Sequence, residues 1–329
     1  MNFKKLLRYF KKTQTLHTSG CNVRCNDIKK IIKKSFLGRY LISELHCFES
    51  WLMPKLISDK KAVLRFYKKS TDNDLDLKNP QTLSEKLNWY KLNNRLPLMQ
   101  QCADKVAMRD YVTEKGYGDC LNEILGVYNC VKDIDIDDLP EKFVLKAAHG
   151  SHMNIIVTDK TKENWLQNKL MMNSWLHQNI YWSRREWVYK DMPRRIIAEK
   201  YLEDVSGELR DYKFFCFNGK PTYMQYDSGR YIGKHLRNYY DMDLNFIPVR
   251  DDVPSDESNK PDISSEVFER MKSMASDLAE PFQHVRVDFY LVNNKVFIGE
   301  LTFFHNGGIT WFEPPEYDEI FGSHWKINC

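Results

Sequence analysis

Apolar residues recur at helical spacing through the first third of the chain, between residues 36 and 100. The clearest segment is NPQTLSEKLNWYKLNN. Thr82 is placed to cap a helix, and Glu85 occupies the capping-box position. Leu83 and Leu87 give this helix its apolar face. We therefore predict a mainly helical N-terminal region.

From residue 101 onwards the pattern changes to strands that alternate with helices. The predicted helices are DKVAMRDYVTEKG, ending at Gly116, KENWLQNKLMMNSWLHQN and ISSEVFERMKSMASDLAEPF. The predicted strands lie in FVLKAA, NIIVT, RRIIAEKYL, DYKFFCFNGKPTYMQYD and HVRVDFYLVNNKVFIGELTFF, and the last two segments are hairpins. Hairpins with helices on their faces predict an α+β fold, not a doubly wound parallel sheet.

The first hairpin, KFVLKAAHGSHMNIIVTDK, carries a lysine within an apolar strand. Its tip, His149 to His152, contains one glycine. Backbone N–H groups in such a tip can cradle phosphate oxygens, and Lys146 would add a positive charge. The alternative is a solvated lysine on an ordinary surface hairpin.

The last hairpin carries paired carboxylates. Strand alternation puts Arg286, Asp288 and Tyr290 on one face, and Glu300 lies on the return strand. In this antiparallel hairpin, the numbers of two residues that pair across the strands add up to a constant. Asp288 and Glu300 share a face only if that sum is even. We therefore predict a loop of three or five residues around Asn293, because a two-residue turn would separate the carboxylates unless a bulge intervenes.

Two adjacent carboxylates repel each other, and a proton or a metal relieves the repulsion. Mg²⁺ prefers one or two carboxylates together with phosphate oxygens and water, so Asp288 and Glu300 suit a magnesium nucleotide. Arg286 could neutralise a transferring phosphoryl group. An Arg–Asp–Glu salt-bridge cluster is an equally valid interpretation of these residues.

These segments together resemble the ATP-grasp ligases, specifically the TupA-like branch linked to teichuronopeptide and other surface polysaccharides. The resemblance covers roughly residues 80 to 329 and rests on the order of ADKVAMRDYV, FVLKAAHGS, REWVYKDMPRRIIAEKYL, DYKFFCFNGKP, VRVDFYLV and FIGELTFF. It implies an ATP-grasp fold in three regions. These are a basic helical region at 1–100, a lid subdomain with a phosphate flap at 101–200, and a C-terminal subdomain with the metal hairpin at 201–329.

The resemblance also implies roles for individual residues. ATP and Mg²⁺, with Mn²⁺ as an alternative metal, are the expected cofactors. The implied nucleotide-binding residues are Lys105 and Lys146 for phosphate, Gly150 and Ser151 in the flap, Glu199, Tyr201 and Leu202 for adenine, and Asp211 near the ribose. Asp288 and Glu300 are the implied metal ligands. Thr302 stands where these enzymes commonly carry an asparagine ligand.

Two further segments are candidates for substrate binding and catalysis. Arg184, Arg185 and Trp187 lie in an aromatic and basic cluster suited to a sugar or an anionic group. The alternative for this cluster is a packed hinge. In HNGGIT, the stretch Asn306, Gly307 and Gly308 could present backbone donors to an acyl phosphate. His305 could act as a general base or be structural.

The main functional hypothesis is an ADP-forming ligase that joins a carboxylate to an amine through an acyl phosphate. Such chemistry needs positioning and charge neutralisation more than a nucleophile. The resemblance suggests polysaccharide or capsule assembly, with an amino acid joined to a uronic acid or amino sugar. A metal-dependent glycosyltransferase using the D-x-D triplets at Asp74 and Asp241 is the alternative. A scaffold that hydrolyses nothing is the third possibility.

Composition adds limits. The 329 residues have a net charge of +4, but residues 1–40 hold eight lysines and three arginines against Asp27 alone, a formal +10. The amphipathic stretch FKKLLRYFKK could contact an anionic inner-membrane surface or an assembly complex, or simply pack on its own domain. No signal-like or membrane-spanning run is evident, so we expect a cytoplasmic protein, membrane-peripheral at most. Dispersed cysteines predict reduced thiols without zinc, and no nucleic-acid motif is present.

Overall fold

The computed structural model describes residues 35–52, 57–230 and 232–327. The amphipathic stretch at residues 3–10 therefore lies outside the described residues. In the described part, the first third is helical, as predicted. Its helices are α1 (Phe36–Leu52), α2 (Asp59–Thr71), α3 (Leu83–Asn93), α4 (Pro97–Ala103) and α5 (Met108–Glu114).

The capping prediction for α3 is confirmed. The Thr82 hydroxyl accepts from the Glu85 backbone N–H, and the Glu85 carboxylate accepts from the Thr82 backbone N–H. The helix predicted at 104–116 is shorter than expected. Asp104 accepts from the Val106 N–H and holds a turn before α5 begins at Met108.

A four-stranded antiparallel sheet follows. Its strands are β1 (Ile124–Tyr128), β2 (Phe143–Ala147), β3 (Asn154–Val157) and β4 (Ile196–Lys200), in the spatial order β1-β4-β2-β3. Alternation along β2 buries Phe143, Leu145 and Ala147 in a core shared with helix α6 (Trp165–His177). Lys146 consequently points to the opposite face of the sheet.

The second sheet has six antiparallel strands. They are β5 (Arg210–Phe217), β6 (Lys220–Ser228), β7 (Leu236–Asp241), β8 (Phe246–Ile247), β9 (His284–Val292) and β10 (Lys295–Thr302), in the order β10-β9-β5-β6-β7-β8. The predicted hairpin turn at Asn218-Gly219 is confirmed, and both residues have positive φ. Helix α8 (Ser265–Ala279) buries Met271, Met274 and Leu278 in the larger core, which also includes Phe214 and Val287 of this sheet.

Short helices complete the described chain. They are α7 (Tyr181–Arg184), α9 (Tyr317–Ser323) and 3-10 turns at Gly118–Cys120, Val131–Asp133, Lys160–Lys162, Trp187–Tyr189 and His305–Gly307. Across the described ranges, none of the helices is both long enough and apolar enough to cross a bilayer.

The β9–β10 hairpin corrects one prediction. Its turn consists only of Asn293 and Asn294, both with positive φ, and Lys295 pairs with Val292. The expected three- or five-residue loop is therefore wrong. A bulge between Ile298 and Glu300 shifts the register instead, so that Glu300 pairs with Asp288 and the carboxylates share a face.

Candidate active site

A cavity of about 330 Å³ lies between the two sheets, and we call it the inter-sheet cavity. Val144 and Ile156 of the four-stranded sheet and Tyr290 and Ile298 of the β9–β10 hairpin contribute apolar walls. The residues predicted to hold adenine also line it, and these are Glu199, Tyr201 and Leu202. The arrangement suits a flat aromatic ligand held by apolar walls with a few polar groups at one edge.

A second cavity, of about 460 Å³, lies over the polar face of the six-stranded sheet, and we call it the central cavity. Lys105 and Lys146 line both cavities, so the two cavities meet at these lysines. Lys146 donates across the strands to the Glu199 carboxylate at 2.6 Å. The two residues are diagonal neighbours on one face, since Glu199 pairs with Val144.

Lys105 connects the flap with the last hairpin. Its Nζ donates to the Gly150 carbonyl at 2.7 Å and lies 3.5 Å from the Glu300 carboxylate. Gly150 is packed so tightly that a Cβ there would lie 2.4 Å from Ile180 Cδ1, whereas Ser151 is exposed. The flap tip thus has one buried anchor and one exposed polar residue that lines the central cavity.

The six-stranded sheet brings a row of polar side chains onto its cavity face. In neighbouring strands, Gln225 pairs with Lys213, Lys213 with Asp288, and Asp288 with Glu300. Arg286 donates to both oxygens of Asp288 at 2.6 Å, and Lys213 lies 3.2 Å from the same carboxylate. Asp288 is therefore buried and paired with two cations.

Glu300 differs from Asp288 because its side chain is 35% exposed. Burial alone would raise its pKa, but the positive charges of Lys105, Arg286 and Lys213 lower it to about 2. The Thr302 hydroxyl donates to Glu300 at 3.3 Å. Thr302 accordingly supports the carboxylate in this structure and stands beside it on the same strand face.

Asp211 lines the central cavity and is absent from the walls of the inter-sheet cavity. It pairs with Lys213 at 3.0 Å and Arg230 at 3.3 Å. This placement gives no support to a position beside the ribose. Lys213 and Arg230 were not foreseen, although alternation along DYKFF puts Lys213 on the same face as Asp211.

His305 lines the central cavity but is 5% exposed. Its ring packs edge-on against Phe215, with centroids 4.9 Å apart. Burial lowers its pKa well below the usual value, and neither ring nitrogen has a hydrogen-bond partner in the described structure. These surroundings favour the structural interpretation of His305 over a general base.

Arg184, Arg185 and Trp187 separate in the structure. Arg184 lines the central cavity, so its role in substrate binding stays a prediction. Arg185 is 2% exposed, lies 3.4 Å from Asp59, and stacks over Trp182 outside the cavities. Its predicted substrate role does not fit this position.

Trp187 also lies away from the cavities. The Arg95 guanidinium is 5.2 Å from its ring centroid, and the ring packs against the larger core. The hinge interpretation therefore describes Trp187 better than substrate binding.

Lys91, which sequence reasoning missed, supports the loop that follows β10. Asn306 and Gly307 line the central cavity, whereas Gly308 faces α3. Lys91 of α3 is fully buried and donates to the Gly307 carbonyl at 2.6 Å and to Asn88 at 2.9 Å. Its signal in the sequence is a lysine four residues after Leu87, on the apolar side of a helix.

The D-x-D triplets have local structural roles. The Asp241 carboxylate accepts from the N–H groups of Asp243 and Asn245 in the turn after β7. Asp76 accepts from the N–H groups of Lys78 and Asn79. Neither triplet contributes to the cavities described above, so their placement does not favour the glycosyltransferase hypothesis.

Two sheets that enclose an inter-sheet cavity, with lysines at its mouth and carboxylates on the last hairpin, define the ATP-grasp class. The model of the TupA-like ATP-grasp family matches residues 85–326. The chain belongs to the TupA-like ATP-grasp family. No curated protein matches the sequence.

The solved structures that match this chain are distant from it. D-alanine–D-alanine ligase from Bacillus anthracis is 18% identical, with a TM-score of 0.37, 61% of this chain and 56% of that chain being covered. L-amino acid ligase from Bacillus licheniformis is 13% identical, with a TM-score of 0.40 and coverage of 78% and 58%. The match thus spans little more than half the length of these proteins.

The residues fit the cofactors that this family implies. The inter-sheet cavity suits an adenine base, and Lys105 and Lys146 suit phosphate oxygens. Within the described ranges, no three His, Cys, Asp or Glu side chains are grouped to hold a metal by themselves. Asp288 and Glu300 instead fit a Mg²⁺ ion that takes its other ligands from phosphate and water.

Proposed function

We propose that this protein is an ADP-forming ligase that joins a carboxylate to an amine through an acyl phosphate. The observation that carries the proposal is the position of Lys105. This lysine lines both cavities and connects the flap at Gly150 with the carboxylate of Glu300. If the base of a nucleotide lay in the inter-sheet cavity, its phosphates would lie beside Lys105 and extend into the central cavity.

Each of these side chains would have a separate role in phosphoryl transfer. Lys105 and Lys146 would neutralise phosphate oxygens, and Asp288 and Glu300 would hold Mg²⁺, which supplies further positive charge to the transferring group. Arg286, held 2.6 Å from Asp288, is placed to stabilise negative charge on the phosphoryl group. The N–C bond would form in the same cavity.

The biological setting proposed from the family is the assembly of surface polysaccharide or capsule, with an amino acid joined to a uronic acid or amino sugar. Fold and family do not identify the substrates, because one fold serves many reactions. The proposal for this setting therefore depends on the family alone.

A thermal-shift titration tests the nucleotide site. Mg²⁺ with a nonhydrolysable ATP analogue should raise the unfolding midpoint by mass action, and UDP or nucleotide sugars should not. Lys146→Met should weaken the analogue at least tenfold. Lys142→Met is the matched control, because Lys142 lies in the same hairpin but is 44% exposed and outside the cavities.

A shift with UDP or nucleotide sugars alone would contradict the proposal, and so would an unchanged affinity in Lys146→Met. If the analogue binds as expected, release of ADP that depends on both a carboxylate and an amine would establish the reaction.

A further inference from the structure

A third cavity, of about 570 Å³, opens beside the flap, and we call it the side cavity. Helix α1 supplies Arg39, Ile42 and His46 to its wall, and α6 supplies Met171 and Trp175. Helix α1 lies outside the residues matched by the family model. Part of the wall of the side cavity therefore comes from a segment that precedes the matched residues.

The side cavity and the central cavity share a boundary. Arg184, Glu186, Tyr189 and the flap residues Ser151 to Asn154 line both. A ligand in the side cavity can therefore present one end to the central cavity, where the proposed chemistry takes place.

Glu186 differs from the other carboxylates that line these cavities. Asp211, Asp288 and Glu300 each pair with at least two cations, and Glu199 pairs with Lys146. Glu186 is only 7% exposed, yet among the residues described no hydrogen bond or ion pair reaches its carboxylate. Glu186 lines both cavities without a donor from the described part of the protein, so its carboxylate is available to accept a hydrogen bond from a ligand.

The charges near Glu186 restrict that ligand further. Lys91 is buried close by, and Arg184 reaches the same boundary, where its only described partner is the ring of Phe66 at 5.9 Å. Two cations and one carboxylate leave a net positive charge. A second ammonium alone would increase it, whereas a ligand that also carries a carboxylate would not.

We infer that the boundary between the side and central cavities binds the amine substrate of the proposed ligase as an amino-carboxylate. Glu186 accepts hydrogen bonds from its ammonium group, Arg184 binds its carboxylate, and its side chain extends into the side cavity. This inference rests on the proposed function and names the class of its amine substrate.

The pKa of Glu186 is consistent with a role in proton transfer. Burial raises it, and the charges of Lys91 and Arg184 offset part of that rise. A carboxylate with a raised pKa is a better acceptor for the proton of an ammonium group.

The step balances without another reactant. The ammonium gives one proton to the Glu186 carboxylate, and the neutral amine attacks the acyl carbon. The N–C bond forms, the C–O bond to phosphate breaks, and phosphate leaves with the electron pair. The second proton of the nitrogen goes to the departing phosphate, and amide and hydrogen phosphate are released.

Calorimetric titration at saturating Mg²⁺ and nonhydrolysable ATP analogue tests this assignment. The probes are the twenty amino acids and a dipeptide panel, with ethanolamine and glucosamine as amines that lack a carboxylate. At least one amino-carboxylate should bind, and the two simple amines should not. Glu186→Gln should raise the Kd for the amino-carboxylate at least tenfold and leave the affinity for the analogue unchanged.

Glu257→Gln is the matched control, since Glu257 is exposed, lies outside the three cavities and makes no side-chain hydrogen bond or ion pair within the described structure. Ile42→Trp tests whether the side chain of the bound amino-carboxylate extends into the side cavity. It should fill the side cavity and weaken large amino acids at least tenfold while glycine binding stays the same.

Three outcomes would overturn the inference: no amino-carboxylate binding in the wild type, equal binding of the simple amines, or an unchanged Kd in Glu186→Gln. Each is distinct from failure of the proposed function, which would show as no binding of the ATP analogue. A misfolded Glu186→Gln protein would lose both ligands. Ile42→Trp then decides, because equal binding of all amino acids by that variant overturns the assignment.

Discussion

The two sheets hold their charged side chains in contrasting ways. In the four-stranded sheet, Lys146 and Glu199 form one pair at 2.6 Å, with side chains 24% and 12% exposed. In the six-stranded sheet, Asp288 is 3% exposed and is paired with both Arg286 and Lys213. A phosphate that replaces Glu199 as the partner of Lys146 disturbs one ion pair, whereas a change at Asp288 disturbs a network that must rearrange as a unit.

The contrast has a consequence for ligand binding. Both oxygens of Asp288 accept hydrogen bonds from Arg286. A cation at Asp288 would add positive charge beside Arg286 and Lys213, and the phosphates of a nucleotide would offset that charge. We expect metal binding at the hairpin to depend on the nucleotide.

The largest expected effect comes from removing one charge in each sheet. Asp288→Asn removes the buried carboxylate that Arg286 and Lys213 share and leaves them only Glu300 at 3.5 Å and Asp211 at 3.0 Å, so it should lower the free energy of unfolding by about 3 kcal/mol. Glu199→Gln keeps a hydrogen-bond acceptor beside Lys146, whose side chain is 24% exposed, and should cost about 1 kcal/mol. Urea denaturation measures both. Equal losses would show that the two sheets do not differ in this way.

Lys91 extends the comparison to a buried cation in the larger core. Burial lowers its pKa to about 8, from 10.5 in the unfolded chain, although Glu186 partly offsets the effect. The unfolded chain then binds more protons between those pH values. The free energy of unfolding should therefore rise from pH 8 to 10.5, and this slope should be reduced in Lys91→Met. Identical slopes in the two proteins would contradict the lowered pKa.

Gly307 tests how the loop behind the central cavity positions Arg184. Its φ is +71°, and a Cβ would lie 2.3 Å from Arg184 Cδ. Gly307→Ala should cost about 1–2 kcal/mol from its left-handed backbone and should also displace Arg184. Gly116→Ala has a comparable φ of +87° with open space around it, so it should show the backbone cost alone. Amino-carboxylate binding should weaken only in the first variant.

The smallest expected effect concerns the partly exposed Glu300. Its pKa is lowered from 4.5 to about 2, so its contribution to stability is present above pH 4.5 and is lost as the pH falls towards 2. Glu300→Gln should show a shallower loss of stability than the wild type over that window. Solvent screening keeps the difference small, and acid titration followed by circular dichroism measures it. A steeper loss in the variant would reverse the sign that we expect.

Much of the fold was predictable because its determinants are local. The capping box at Thr82, the Asn218-Gly219 turn and the alternation along β9 each depend on a few neighbouring residues. The register of the last hairpin was not predictable from its turn. The bulge that brings Glu300 opposite Asp288 involves Gly299, at which a Cβ would lie 2.9 Å from the ring of Tyr290 on the neighbouring strand.

The candidate site shows the same division. Motif order identified Lys105, Lys146, Asp288 and Glu300 as members of one site, and the structure brings all of them to the central cavity. The sequence could not separate Arg184 from its neighbour Arg185. Arg184 faces the cavity, whereas Arg185 is buried against Asp59 of α2. The two side chains diverge because Arg185, at the end of α7, has a positive φ that redirects the chain.

The sequence by itself determined the main helices and hairpins, the family, and the charged residues of the last hairpin, but strands β1, β7 and β8 were not predicted. Periodicity and turn chemistry act over a few residues, so a single chain contains this information. Only the tertiary structure decided which charges face one another. It paired Lys213 with Asp288, placed Lys91 behind the last loop, and left Glu186 without a close donor in the described part of the chain. These relations join segments far apart in sequence, and burial, which acts on the whole fold, sets their energies.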